Sequence, residues 1–186
     1  MNGPTAVDWS TIPAPQDDGA AAHLPGAAVP GVALPATDGS AVVLSSLPGL
    51  TVLYVYPMTG TPGVALPEGW DAIPGARGCT PQSCAFRDHH DELRAAGADR
   101  VFGLSTQDPA EQAEAAARLH LPFPLLSDAE GAFSRALSLP GFAAAGRIRL
   151  KRMTLIVEGG RVSHVFYPVF PPDRNAADVL AWLSAR

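Results

Sequence analysis

The chain has 186 residues, of which 47% are apolar and 17% charged. That suits one domain with a real hydrophobic core, and excludes both a charge-rich disordered chain and a coiled coil. Thirteen basic against eighteen acidic residues give a net charge of −5, which argues against a nucleic-acid partner. There are only two cysteines, Cys79 and Cys84, so a disulfide-stapled scaffold is excluded too.

The N-terminal stretch MNGPTAVDWSTIPAPQDDG has no basic start and carries Asp8, Asp17 and Asp18 where an apolar run would be needed, so it does not read as a signal peptide. No segment approaches the roughly 18 apolar residues that cross a bilayer, and no membrane partner is expected. The expectation is a cytoplasmic protein. Thiols stay reduced there, and two close cysteines are more often catalytic or metal-binding than structural.

Residues 1–30 are rich in Ala, Pro and Gly without periodicity. They read as an extended or poorly ordered lead-in, with the domain itself assigned to 25–186 and the lead-in proper to 1–24. GVALPATDGSAVVL (31–44) reads as two short strands joined at Asp38-Gly39, a two-residue hairpin signal. TVLYVYP (51–57) is a β-branched and aromatic run suited to a central strand buried on both faces. Residues 57–78 hold four Pro and five Gly, which fits neither a helix nor a central strand. A loop this long inside a domain is functional or disordered. Val64, Leu66, Trp70 and Ile73 favour a packed loop.

A helix follows, with Thr80 as its expected N-cap and Pro81 in its first position. Phe86, His90, Leu93 and Gly97 share one face, and AAGAD ends it. RVFGLS (100–105) reads as a strand, 109–120 as an Ala-rich helix, FPLLSD (123–128) as a short strand and AEGAFSRAL (129–137) as a short helix. RMTLIVEGGRVSHVFYP (152–168) reads as two strands around Gly159-Gly160, and NAADVLAWLSAR (175–186) as a terminal amphipathic helix. The alternation of strands and helices predicts an α/β fold around a central sheet.

Cys79 falls just before, or in, the first helical turn, where free backbone N–H groups and the positive end of the helix dipole favour a thiolate. Cys84 is five residues further on. In an ideal helix such Cα atoms are about 8.7 Å apart, and bridged cysteines need less than about 7 Å. A disulfide would therefore require the first turn or two to unwind. Two other readings of the pair stay open. Cys79 can be a small buried hydrophobe, or zinc can be held by Cys79, Cys84 and His89 or His90, although C-x4-C is longer than the usual zinc spacing and four ligands would crowd one helix. No C-x-x-C motif is present.

GCTPQSCAFRDHHDEL (78–93), after a strand ending in YVYP (54–57), resembles the peroxiredoxins, and within them the peroxiredoxin Q or bacterioferritin-comigratory-protein class. Cys79, Thr80, Cys84, Phe86, Arg87 and Asp88 match the class motif. LPATDG (34–39) and KRMTLIVEGGRV (151–162) add support. The resemblance covers roughly 25–186 and implies a thioredoxin-like fold, a central mixed β-sheet flanked by helices. It implies a peroxide-attacking Cys79, a resolving Cys84 and an Arg152 in the place of the catalytic arginine, with Arg147 and Arg149 as nearby competitors. It also implies a thiol-dependent peroxidase that reduces hydrogen peroxide and organic hydroperoxides, with a thioredoxin-like dithiol reductant, no metal, haem or flavin, and a monomer or weak homodimer. A redox sensor using the same cysteine switch with slow turnover is the alternative function.

The class motif also predicts roles for Pro57, which would shield the thiolate, and Thr61. From Pro57, however, Val64 stands where the cysteine belongs, and Cys79 follows fifteen residues late. The motif reads as split by an insertion at about 64–78. Either Thr61 folds back beside Cys79, or its role passes to Thr80 or to backbone N–H groups.

Overall fold

The computed structural model describes residues 7–186; the first six residues of the expected lead-in lie outside the described residues. A five-stranded sheet forms the centre. Strands β1 (Ala33–Pro35) and β2 (Ala41–Val43) make a separate hairpin before β3 (Leu50–Val55) enters the sheet. Then come α1 (Cys79–Asp88), α2 (His90–Ala95), β4 (Arg100–Ser105), α3 (Pro109–Arg118), β5 (Leu125–Ser127) and α4 (Ala132–Ala136). A second hairpin, β6 (Gly141–Ala144) and β7 (Arg147–Leu150), precedes β8 (Met153–Glu158), β9 (Arg161–Phe166) and α5 (Asn175–Ser184). The sheet order is β5-β4-β3-β8-β9, with β3, β4 and β5 parallel and β8 and β9 antiparallel.

All six residues of β3 are buried, as a central strand covered on both faces requires. Leu53 and Val55 join one core with Leu34, Leu104, Phe133 and Leu155, beneath the β1–β2 hairpin and α4. Val52 and Tyr54 join the other with Phe86, Leu93, Ile156 and Val179, beneath α1, α2 and α5. Tyr54 fixes the position of α1. Its ring stacks on Phe86 with centroids 4.5 Å apart and planes 7° apart, and its hydroxyl donates to Ser83 Oγ at 3.1 Å. Gly103 on β4 makes room for that ring: a Cβ there would lie 2.6 Å from Tyr54 Cζ and 2.6 Å from Leu125 Cδ2.

The structure differs from expectation in four places. The β1–β2 loop has five residues, 36–40, not two: the Ala36 N–H donates to Ser40 O at 2.9 Å, and Asp38 folds inside that closure to accept from the Ser40 N–H at 3.0 Å. The long helix after Cys79 breaks at His89 (φ −95°, ψ 8°), so Phe86 and Leu93 enter the core from two helices. The β6–β7 hairpin was not anticipated. GFAAAGRIRL lacks a clean apolar alternation, and its turn residues are Ala145-Gly146. Finally, the described part of the lead-in is tied down. Asp18 accepts from Lys151 Nζ and from the Tyr167 hydroxyl, each at 2.7 Å, which holds its carboxyl well below the usual carboxylate range. Ala21 and Leu24 are buried in the first core.

Gly103→Ala is expected to lower stability by about 1–3 kcal/mol through overpacking against Tyr54. A urea unfolding curve reads this as a fall in the midpoint with unchanged slope.

Candidate active site

Helix α1 starts at Cys79. Its N-cap is Gly78, with φ +106°, and not the expected Thr80. Only glycine adopts that backbone without strain. Packing demands it as well, since a Cβ on Gly78 would lie 2.6 Å from Pro172 Cγ and 2.9 Å from the Trp9 ring. Pro81 therefore sits two residues into the helix, where its missing N–H costs nothing. The Gln82 N–H already donates to Gly78 O at 3.1 Å. The N–H groups of Cys79 and Thr80 head the helix.

Cys79 is 4% exposed. Its thiol faces Ala76 O at 3.7 Å, while Sγ accepts from Arg152 Nη2 at 3.2 Å and from the Met58 N–H at 3.5 Å. Arg152, just before β8, is 3% exposed. Its guanidinium donates to the carbonyls of Gly75, Ala76 and Arg77 at 3.3, 3.3 and 3.2 Å and to Gln82 Oε1. Among the described residues no carboxylate pairs with it. Gln82 is held in turn: its Nε2 donates to Asn175 Oδ1 at 2.9 Å, and Thr154 Oγ1 donates to the same oxygen at 2.7 Å. A buried cation lined by carbonyls lacks a full negative partner, and the Cys79 sulfur is among the groups it donates to.

Two sequence candidates, Thr61 and Cys84, make no hydrogen bond to the sulfur. Thr61 is exposed, and its carbonyl closes a turn with the Val64 N–H at 3.1 Å. Among the described residues Thr61 makes no hydrogen bond to Cys79, and the backbone donor beside Sγ is the Met58 N–H. Pro57 is buried and immediately precedes that donor. Cys84 is half-buried on the same uninterrupted helix as Cys79, and both cysteines are free thiols. The other arginines have different surroundings. Arg87 pairs with Asp88 at 2.8 Å, Arg77 with Asp71 at 3.5 Å, and Arg147 with Asp108 at 3.2 Å. Arg149 is buried with Nε and Nη1 unpartnered, and its burial pulls its pKa down.

His89 lies 3.4 Å from Glu92, and the His90 ring packs 5.6 Å from that of Phe123, both at the far end of α1. Among the described residues no group of three or more His, Cys, Asp or Glu side chains is placed to hold a metal ion. The sequence reading missed Met58, Gln82 and Asn175. Gln82 carried a local signal, since a residue three past Cys79 shares its helix face. Nothing local marks Asn175.

The insertion contributes to the site. Its last residues supply the carbonyls that grip Arg152. Trp70, in a short 3-10 turn (Trp70–Ala72), is buried against Phe142 of β6 with ring centroids 5.8 Å apart. Gly78→Ala is expected to cost on the order of 2–4 kcal/mol, from left-handed strain plus the clash with Pro172 and Trp9, and thermal unfolding measures it directly.

A family model for redoxins matches residues 24–180. The chain is 33% identical over 159 residues to peroxiredoxin Bcp of Escherichia coli, covering 83% of this chain and 91% of that protein. It is 31% identical over 161 residues to the putative chloroplastic peroxiredoxin Q of Oryza sativa subsp. indica, covering 86% of this chain but 66% of that relative, just under two thirds of its length. The crystal structure of peroxidoxin BcpB from Mycobacterium tuberculosis is similar with a TM-score of 0.68 and 30% identity, covering 88% of this chain and 98% of that one. The thioredoxin-like fold implied by the motif resemblance holds. With the family match spanning most of the domain built around Cys79 and Arg152, the chain belongs to the redoxin family, in its peroxiredoxin Q and Bcp class.

Proposed function

We propose that this chain is a thiol-dependent peroxidase with Cys79 as the attacking residue. The observation that carries the reading is the buried Arg152 guanidinium, donating to Cys79 Sγ at 3.2 Å at the first residue of a helix. A cation, a backbone N–H and a helix N-terminus converge on one sulfur, the arrangement that stabilises a thiolate nucleophile.

In the first step the Cys79 thiolate attacks the terminal oxygen of R–O–O–H. The S–O bond forms as the O–O bond breaks, sulfur is oxidised by two electrons to Cys79–S–OH, and the alkoxide RO⁻ leaves and takes a proton from water. Arg152 and the helix N-terminus then face the negative charge that passes to the departing oxygen. In the second step the Cys84 thiolate displaces hydroxide from the sulfenic sulfur, giving the Cys79–Cys84 disulfide and, with a proton, water. Because α1 is unbroken from Cys79 to Asp88, this step requires the first turns to unwind. A dithiol reductant of the thioredoxin kind restores both thiols by exchange and becomes a disulfide itself.

Stopped-flow oxidation and a coupled assay with thioredoxin, thioredoxin reductase and NADPH test this reading. Arg152→Ala is expected to slow the first oxidation by about 10²–10³-fold, the usual loss for a transition-state charge partner. An unchanged rate would remove Arg152 from the chemistry. Cys84→Ser should undergo the first oxidation at the wild-type rate and then fail to turn over with thioredoxin. Full turnover in that variant would remove Cys84 as the resolving thiol.

A further inference from the structure

Unwinding the start of α1 has to free residues 75–78 and the first helical turns from whatever lies on them. Two of the groups lying there come from one exposed stretch, residues 8–18. The Trp9 ring is 2.9 Å from where a Cβ on Gly78 would stand, at the N-cap of α1. Pro15 is 3.4 Å from where a Cβ on Gly75 would stand, and the Gly75 carbonyl accepts from Arg152. The stretch therefore touches both ends of the short segment that grips Arg152 and starts the helix.

Side chains alone hold this stretch in place. Among the described residues the backbone of 7–18 exchanges no hydrogen bond with the rest of the domain, and none of these residues is buried. At one end the Trp9 Nε1–H donates to Asp173 Oδ2 at 2.9 Å, and the ring meets Phe170 edge-on with centroids 6.1 Å apart. At the other end Asp18 is latched by Lys151 and by the Tyr167 hydroxyl, and Lys151 immediately precedes Arg152. Between these points a cavity of about 400 Å³ is lined by Ala14 and Gln16 together with Ile73 and Phe142, so the middle of the stretch is loosely packed. Past Asp18 the chain is fixed by buried Ala21 and Leu24. A segment with few buried contacts and exposed polar attachments opens at a lower free energy than the core it covers.

We infer that residues 8–18 are a releasable strap over the start of α1. Docked, the strap presses Gly75 and Gly78 into place and keeps the first turns wound. Its release precedes their unwinding, and its hold sets how fast oxidised Cys79 reaches Cys84. That last consequence rests on the peroxidase reading; the coupling of strap to helix does not.

Asp18→Ala and Tyr167→Phe undo the latch from its two sides, with Asp17→Ala as the control. Asp17 and Asp18 each accept from a backbone N–H two residues on, so both alanine variants lose a turn bond and only Asp18→Ala loses the latch. Hydrogen exchange on the reduced, full-length protein reads the opening of residues 79–84 without any peroxide. Stopped-flow mixing with hydrogen peroxide, quenched and mapped by mass spectrometry, reads disulfide closure. Removing contacts that are already broken in the opening transition state speeds opening. Asp18→Ala is expected to raise both exchange over 79–84 and the closure rate by about fivefold, the upper range for an exposed ion pair. Tyr167→Phe keeps its ring and should act in the same direction by about two- to threefold, and the double variant should exceed Asp18→Ala by less than the product of the two effects. Exchange in β3 and the first oxidation of Cys79 should stay at their wild-type rates. Unchanged exchange over 79–84 in both latch variants, or an equal rise in Asp17→Ala, would overturn the strap. Faster exchange with unchanged closure would overturn its control of closure. Faster exchange with no disulfide at all would instead overturn the resolving role of Cys84 and leave the strap standing.

Discussion

A buried guanidinium without a carboxylate organises this molecule. Taking Arg152 out of water carries a desolvation cost of several kcal/mol that neutral carbonyls only partly offset. Its surroundings answer that cost with oxygens from three directions: the carbonyls of residues 75–77, Gln82 Oε1 and, through Gln82, the Asn175–Thr154 pair. The remaining partner is sulfur. One electrostatic need thus joins the insertion, α1, β8 and α5 at a single point. It places the Cys79 sulfur directly against the guanidinium.

On the proposed mechanism the same helix performs two tasks that oppose each other. Intact, α1 presents its N-terminus to Cys79 and keeps Cys84 too far away to bond. Unwound, it would bring the thiols together and give up the dipole and the Gly78 cap. Tyr54 stacks on Phe86 and bonds Ser83, so the C-terminal part of α1 is anchored to the sheet. The first turn is held by Gln82, by the Arg152 clamp and by the packing of Gly78 under Pro172 and Trp9. On that mechanism the half anchored to the sheet carries the fold, and the half that would unwind carries the chemistry.

The sheet was legible because its signals are local. TVLYVYP could only be a doubly buried strand, and Gly159-Gly160 marked the turn between β8 and β9. The helix start was legible to within two residues. Thr80 and Pro81 are good local caps, yet packing beneath Pro172 and Trp9 selected Gly78, and such tertiary contacts leave no local trace. Composition could not choose among Arg147, Arg149 and Arg152. The fold separates them by pairing Arg147 with Asp108, burying Arg149 without partners and bringing Arg152 to the sulfur. Thr61 misled because the motif assumes a short path from Pro57 to the cysteine. Here the insertion, packed through Trp70 against Phe142, separates Thr61 from Cys79 in the chain, and a backbone N–H from Met58 stands beside the sulfur. Asn175 lies 93 residues from Gln82 and could be found only by folding the chain.

The central claim is that Cys79, paired with Arg152, is the atom a peroxide oxidises first. Trapping the product is the most direct measurement. Cys84→Ser protein is treated with one equivalent of hydroperoxide in the presence of dimedone and then mapped by mass spectrometry. The account predicts a single adduct on Cys79, approaching one per chain and strongly reduced when Arg152 is also replaced by Ala. An unlabelled Cys79, or equal labelling with and without Arg152, would contradict it.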